Sequence, residues 1–270
     1  MNGLNVRRSG EGPPVVLLHP VGLDGSFWGS LPEKLTSSRS VYAVDLLGHG
    51  ESPKAPRPGR MDAHIESVAS LIEGIGEPAL VIGVSFGGMV AQNLAIKRPD
   101  LIAGLMLVSC GAEVPEAGRE VMRQRSQAVD EGRMESVVDA MVENTFSRDL
   151  LDPELAWLVR RRLLANEPSN FAATWEALSE HAALARLSEV ACPSMIVIGD
   201  ADKATSLVSA RELSALISGS RYVEMKHAPH MLHLEREEEF GSLVAEFANE
   251  LGIATPPQHR RRGVIGSAAR

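Results

Sequence analysis

Six short runs, apolar throughout except for Glu224 in the last, are the feature of this sequence that most limits how it can fold. They cover residues 15–18, 41–44, 79–82, 105–108, 195–198 and 222–225. Strands that are buried on both faces show continuous rather than alternating hydrophobicity, and such strands are typical of a mostly parallel sheet. The runs therefore predict an α/β fold with a mostly parallel sheet flanked by helices.

The segment between the second and third runs has the pattern of an amphipathic helix. Its apolar residues recur at helical spacing, and they are Ile65, Val68, Ala69, Ile72 and Ile75. Gly74 and Gly76 lie at the end of this pattern and Pro78 follows, a combination that is typical of a helix C-terminus. The order of run, helix and run predicts a β-α-β unit.

Residues 111–190 interrupt the series of strands. They contain no strand-like run, and several amphipathic patterns within them are separated by Gly118, Gly132, Pro153 and Pro168. We predict a core formed by residues 1–110 and 191–253, with residues 111–190 as an inserted helical lid. Residues 254–270 carry two prolines and three consecutive arginines, and we expect a disordered tail there.

Composition narrows the classes of function. The 27 basic and 35 acidic residues give a net charge of −8, which argues against binding to a nucleic-acid backbone. No stretch approaches the ~20 apolar residues of a membrane span. Two cysteines, Cys110 and Cys192, suit a reducing compartment better than a disulfide framework. We expect a cytoplasmic protein without membrane or nucleic-acid partners, while its oligomeric state stays open.

The strongest chemical signal is a serine between two glycines. Gly83, Ser85 and Gly87 form a Gly-x-Ser-x-Gly pattern directly after the third apolar run and directly before a helical pattern. In this context the pattern is typical of a nucleophile on a strained strand-to-helix turn, where side chains at the glycines would collide. Taken alone, the same pattern is also compatible with a tight connection or a phosphate cradle.

The loop after the first apolar run supplies a second element of a catalytic site. His19, Pro20, Val21 and Gly22 end that run, where a backbone N–H can point toward the serine turn. We expect the N–H groups of Val21 and Phe86 to form an oxyanion hole. We expect the ring of His19 itself to be satisfied by local backbone groups.

Together these motifs resemble the α/β-hydrolase fold, and the likeness runs from about Gly3 to Leu251. The segment 45–52 is similar to the Asp-x-x-Gly-x-Gly-x-Ser loop of that family. The resemblance implies that Asp202, in the segment 199–202, is the triad acid in preference to Asp200. It also implies that His230, in the segment 227–235, is the catalytic base, although Pro229 stands where the family usually has glycine. His233 is expected at the start of the following helix.

The chain order Ser85, Asp202, His230 is the order that this fold uses. A serine rather than an aspartate at position 85 favours acyl transfer over the branches of the family that use a carboxylate nucleophile. No metal and no cofactor are expected, because the neighbouring histidines are not accompanied by a pattern of cysteine or carboxylate ligands.

Within the family, the chain resembles 3-oxoadipate enol-lactone hydrolases. The likeness rests on His19, Gly22, Asp24 and Trp28, on the segment 85–92 and on the segment 202–205. Departures from that subfamily are His19-Pro20 for Asn-Ser, Thr145-Phe146 for Trp-Phe, and Ser206 for proline. The resemblance implies cleavage of a small ester or lactone, with 3-oxoadipate enol-lactone as one candidate.

Substrate contacts are predicted mainly in the lid. The candidate residues are Trp28, Arg125, Phe146, Trp157 and Trp175. An enol-lactone with a carboxylate would need a cation, for which the lid offers Arg119, Arg123, Arg125, Arg133 and Arg148. Arg160, Arg161 and Arg162 cannot share one helix face, so we expect them at the surface.

Four other functions stay open on this sequence. A carbon–carbon bond hydrolase of ring-cleavage products, a broad carboxylesterase and a cofactor-free perhydrolase would use the same triad. A ligand-binding receptor on this fold would bind a small molecule beneath the lid with reduced turnover. The small-molecule ligand is common to all of these alternatives.

Overall fold

A seven-stranded sheet forms the centre of the structure, a computed structural model that describes residues 3–146 and 153–251. The strands are β1 (Val6–Ser9), β2 (Pro14–Leu18), β3 (Ser40–Val44), β4 (Ala79–Val84), β5 (Ile102–Val108), β6 (Ser194–Gly199) and β7 (Arg221–Met225). Their spatial order is β1-β3-β2-β4-β5-β6-β7, and all neighbours are parallel except β1 with β3. All six apolar runs are strands, which confirms the predicted sheet.

Strand β1 was missed by the sequence prediction. It lies at the edge of the sheet, where Val6 pairs with Val44 in antiparallel register. Arg7 and Arg8, in its middle, are exposed and interrupt any apolar run. An edge strand that is open to solvent does not need the continuous hydrophobicity by which the other six were recognised.

Helices cover both faces of the sheet. Those of the core are α1 (Leu31–Leu35), α2 (Met61–Ile75), α3 (Phe86–Lys97), α8 (Leu207–Leu216), α9 (Leu232–Glu235) and α10 (Glu237–Glu250). Val16 and Leu18 of β2 pack into one apolar cluster with α2 and α3. Val15 and Leu17 pack into a second cluster with α1 and α10. The two clusters explain why the sequence of β2 is apolar at every position.

The predicted helix between the second and third runs is α2. Its apolar side is buried, and Gly76 ends it in a left-handed conformation with φ 86°, donating its N–H to the Ile72 carbonyl. A left-handed conformation costs glycine little free energy, so a glycine in the sequence is a useful signal for a helix C-terminus.

The segment between β5 and β6 is helical within the described residues. It contains α4 (Glu116–Asp130), α5 (Met134–Thr145), α6 (Pro153–Leu164) and α7 (Pro168–Ser179). An isolated antiparallel bridge between Glu113 and Ala182 joins its two ends. Arg148 and the expected tail at 254–270 lie outside the described residues.

Cys110 is a buried free thiol, and Cys192 is a partly buried one. Among the residues that the structure describes, no helix combines the length and the apolar character that crossing a membrane requires.

Candidate active site

Ser85 lies on a strained turn between β4 and α3. Its backbone has φ 52° and ψ −113°, a conformation that side-chain-bearing residues rarely adopt. A Cβ atom on Gly83 would overlap the Gly87 carbonyl, and one on Gly87 would overlap the Leu18 carbonyl. The Ser85 N–H donates to the Val108 carbonyl at 2.8 Å. The two glycines therefore make room for a turn that leaves Ser85 partly exposed at the carboxyl edge of the sheet.

His230 and Asp202 form a buried pair at the same edge. The ring atom Nδ1 of His230 lies 2.9 Å from Oδ2 and 3.1 Å from Oδ1 of Asp202. The backbone N–H groups of Ala204 and Thr205 both donate to Asp202 Oδ1 at 2.8 Å, which fixes the carboxylate. Because a carboxylate only accepts, Nδ1 carries the proton and Nε2 is left as an acceptor. This is the tautomer that a general base requires.

Asp200 has different partners. Its Oδ1 accepts the N–H of His227 at 2.6 Å, and its Oδ2 lies 3.6 Å from the Lys226 ammonium. These contacts hold the loop after β7, so the structure pairs His230 with Asp202 and leaves Asp200 in a loop-stabilising position.

The loop after β2 is held by the ring of His19. Nε2 of His19 accepts the N–H of Leu46 at 2.9 Å, so the proton is on Nδ1, which donates to the Pro20 carbonyl at 2.8 Å. Burial lowers the pKa of His19 to about 4, which keeps the ring neutral. Backbone groups therefore satisfy the His19 ring, a local one at Nδ1 as expected and one 27 positions away at Nε2. Because Gly87 has no side chain, the start of α3 can pack against the carbonyls of Leu18 and His19.

Two further histidines support this region and were not found from the sequence. His49 Nε2 accepts the N–H of Gly22 at 3.0 Å, and its Nδ1 lies 3.0 Å from the Leu47 carbonyl.

His64 on α2 packs edge-on against Phe86, with ring centroids 4.9 Å apart. Neither ring nitrogen of His64 has a hydrogen-bond partner in the described part of the chain. Burial lowers the pKa of His64 to about 4. Its place between Met61 and Ile65 on the apolar side of α2 was a signal of burial.

The residues predicted to contact substrate lie in different environments. Trp28 is buried against His233 of α9, with ring centroids 5.3 Å apart, in the cluster on the α10 side of the sheet. Phe146 is buried at the end of α5. Trp157 on α6 is 56% exposed. The packing of Trp28 and the exposure of Trp157 favour other roles for these two than contact with a bound substrate.

Arg125 and Trp175 are brought together by the packing of α4 on α7. The Arg125 guanidinium carbon lies 4.7 Å from the centroid of the Trp175 ring. Trp175 in turn meets Phe171 edge-on at 5.9 Å. Phe171 packs against Gly22 of the loop after β2, since a Cβ on Gly22 would lie 2.9 Å from the Phe171 ring. A continuous series of contacts thus links Arg125 to that loop.

The three consecutive arginines of α6 do not share one environment. Arg160 pairs with Asp139 at the surface, and Arg161 lies over the Trp157 ring. Arg162 instead turns inward and forms an ion pair with Asp24, with side-chain exposures of 17% and 8%. The surface prediction is therefore wrong for Arg162, because helical geometry points it toward the core when its neighbours face solvent.

A profile of the Alpha/beta hydrolase family matches residues 15–242, which include every residue of this site. The chain belongs to the alpha/beta hydrolase family. It is 32% identical over 256 residues to a pimeloyl-[acyl-carrier protein] methyl ester esterase of Chromobacterium violaceum, covering 90% of this chain and 97% of the relative.

Solved structures of hydrolases are also similar to this chain. The enol-lactonase of Burkholderia xenovorans LB400 superimposes with a TM-score of 0.87 at 26% identity, covering 91% of this chain and 96% of that one. A thermophilic esterase of Thermogutta terrifontis, described with malate bound, has a TM-score of 0.87 at 25% identity, covering 92% and 93%. The α/β-hydrolase fold and the resemblance to enol-lactonases that the sequence indicated are both confirmed.

Proposed function

We propose that this alpha/beta hydrolase is a serine hydrolase that cleaves a small ester or lactone through an acyl-enzyme on Ser85. The observation that carries the proposal is the His230–Asp202 pair, in which Nδ1 of His230 faces the carboxylate and Nε2 is left to act as the base, at the sheet edge where the strained turn holds Ser85. A serine hydroxyl is a weak nucleophile at its ordinary pKa, and an adjacent neutral imidazole is the usual means of activating it.

The reaction follows from these groups. As Ser85 Oγ bonds to the substrate carbonyl carbon, its proton passes to His230 Nε2 and the carbonyl electron pair moves to oxygen. The N–H groups of Val21 and Phe86 receive that oxyanion; Phe86 begins α3, so its N–H has no acceptor within the helix. Collapse breaks the bond to the leaving oxygen, which takes the proton from His230. Water then repeats the sequence, releases the acid and returns the proton to Ser85. No step requires a cofactor or a metal.

Arg125 supports a substrate that carries a carboxylate. Three of the other lid arginines already have partners: Arg119 donates to the Val114 carbonyl, Arg123 pairs with Glu116, and Arg133 pairs with Glu131. Within residues 3–146 and 153–251, Arg125 has its stacking contact with Trp175 but no ion pair. Burial lowers its pKa, and the neighbouring Trp175 Nε1 is a buried donor without an acceptor. Within the described part of the chain, neither the Arg125 guanidinium nor Trp175 Nε1 has an acceptor, and these adjacent donors favour an anionic group on the ligand.

A methyl ester attached to a carrier protein is the second candidate. The near full-length likeness to an esterase of this kind favours it. So does an open groove of about 380 Å³ on α6, lined by Trp157, Arg160, Arg161, Leu164 and Ala165. An exposed tryptophan with two arginines is a surface suited to a macromolecular partner rather than to a buried small molecule.

Turnover of p-nitrophenyl acetate and butyrate, with Ser85→Ala as the control, tests the reaction class. A panel of small lactones and esters, a carboxylated enol-lactone and a vinylogous 1,5-diketone then tests the bond that is cleaved. Comparing a free methyl ester with the same ester on an acyl carrier protein tests the second candidate. Ligand binding without turnover of any of these compounds would contradict the hydrolase and favour a receptor.

A further inference from the structure

The inserted helices hold the loop that carries the proposed oxyanion donor. This loop, residues 19–25, is called the oxyanion loop below. Asn166, just beyond α6, donates its Nδ2 hydrogen to the Gly22 carbonyl at 2.8 Å, and Arg162 of α6 pairs with Asp24. A Cβ on Gly22 would overlap the Leu163 side chain, so α6 also packs directly against the loop backbone.

Two rigid peptide planes connect Asn166 to the N–H of Val21. The Gly22 carbonyl, which Asn166 holds, shares a peptide plane with the Leu23 N–H, and that N–H donates to the Pro20 carbonyl at 3.3 Å. The Pro20 carbonyl in turn shares a plane with the Val21 N–H. In a trans peptide the carbonyl and the N–H point in opposite directions, so fixing one fixes the other. Asn166 therefore acts on the direction in which Val21 donates.

Asn166 is itself firmly placed. The residue is only 6% exposed, and its Nδ2 also donates to the Leu163 carbonyl at 2.8 Å, near the end of α6. On the opposite side of the loop, His49 Nε2 accepts the Gly22 N–H at 3.0 Å. Gly22 is thus held from the core by its N–H and from the insertion by its carbonyl. Water cannot replace a buried partner without cost, so removing Asn166 leaves the Gly22 carbonyl unsatisfied and the plane free to turn.

We propose that Asn166 is a positioning residue for the oxyanion hole, with the Arg162–Asp24 pair as a second contact that holds the same loop. The insertion then contributes to transition-state stabilisation through the end of α6. The proposal rests on the proposed function, because it assigns the Val21 N–H to the oxyanion.

The test compares Asn166→Ala with Asn144→Ala on a p-nitrophenyl ester. Asn144 is the matched control, since it is exposed on α5 and its Nδ2 donates to the Ala140 carbonyl of its own helix. Loss of one whole oxyanion donor costs about 10²–10³ in kcat. Misdirecting a donor costs less, and we expect kcat of Asn166→Ala to fall about 10-fold to 10²-fold with KM within about 2-fold. Asn144→Ala should match the parent in both constants.

A trifluoromethyl ketone separates positioning from general damage. It adds to the nucleophile and places an oxyanion in the hole, so its Ki should rise by the same factor by which kcat/KM falls. An unchanged kcat, or a fall in kcat with an unchanged Ki, would overturn the inference. If Asn166→Ala does not fold, kcat/KM for the ester and Ki for the trifluoromethyl ketone are measured on Asp24→Asn instead. A fall in kcat/KM with a matching rise in Ki supports the inference, and unchanged constants overturn it. A parent protein without Ser85-dependent turnover would instead overturn the proposed function.

Discussion

Replacing His64 with leucine should make the protein less sensitive to acid. The His64 ring is fully buried beneath Phe86, and its pKa in the folded protein is about 4 against an ordinary value of 6.5. Between these two values the unfolded chain binds a proton at this residue and the folded chain does not. The free energy of unfolding therefore falls as pH drops from 6.5 toward 4, and it is retained above that window.

The size of the effect follows from the two pKa values. Going from pH 7 to pH 5, one such histidine lowers the free energy of unfolding by about 2 kcal/mol. Leucine keeps the apolar volume and removes two unpaired ring nitrogens, while it loses a ring contact worth about 1 kcal/mol. At pH 7 we expect the variant to lie within about 1.5 kcal/mol of the parent.

Urea unfolding followed by tryptophan fluorescence at pH 7, 6 and 5 measures this difference. The decrease between pH 7 and 5 should be smaller in His64→Leu than in the parent by about 2 kcal/mol. His227→Asn is the control for the loss of a histidine outside the core, because that side chain is exposed. Equal decreases in His64→Leu and the parent would refute the assignment of His64 as a buried neutral residue that resists protonation.

Two other variants test the site. Asp202→Asn should lower kcat by several orders of magnitude, on the order of the ~10⁴ found when the aspartate of a protease triad is replaced, while Asp200→Asn should be mild. The reverse ranking in steady-state kinetics would show that the acid is misassigned. Arg125→Met should lower kcat/KM for a carboxylated lactone roughly 10-fold to 150-fold, the worth of a hydrogen bond to a charged group, and should leave its methyl ester almost unaffected. Equal losses on both compounds would remove the argument for an anionic substrate.

Much of the fold was predictable because its strands are buried on both faces. Consecutive residues of β2 enter different clusters, so no polar position breaks the apolar run. Strand β1 lacked that signal. Arg7 within it pairs with the buried Asp45 at 2.6 Å, a contact with a residue 38 positions away that no local pattern reveals.

The same distinction applies to the site. The surroundings of Ser85 and the strand-end loops of Asp202 and His230 are local motifs, so the sequence could indicate them. Asn166 contacts Gly22 across 144 positions, and Arg162 contacts Asp24 across 138. Their roles depend on how α6 docks on the core. Periodicity places Arg162 on a helix but does not say which element faces it.

Covalent labelling with a fluorophosphonate, followed by peptide mass mapping, tests the central claim most directly. The reagent reacts with a serine only where a base activates the hydroxyl and the oxyanion is stabilised. We expect one adduct per chain, on the peptide that contains Ser85, and none on folded Ser85→Ala protein. An adduct at another residue, or a folded parent protein that takes up no reagent, would contradict the assignment of Ser85 as the nucleophile.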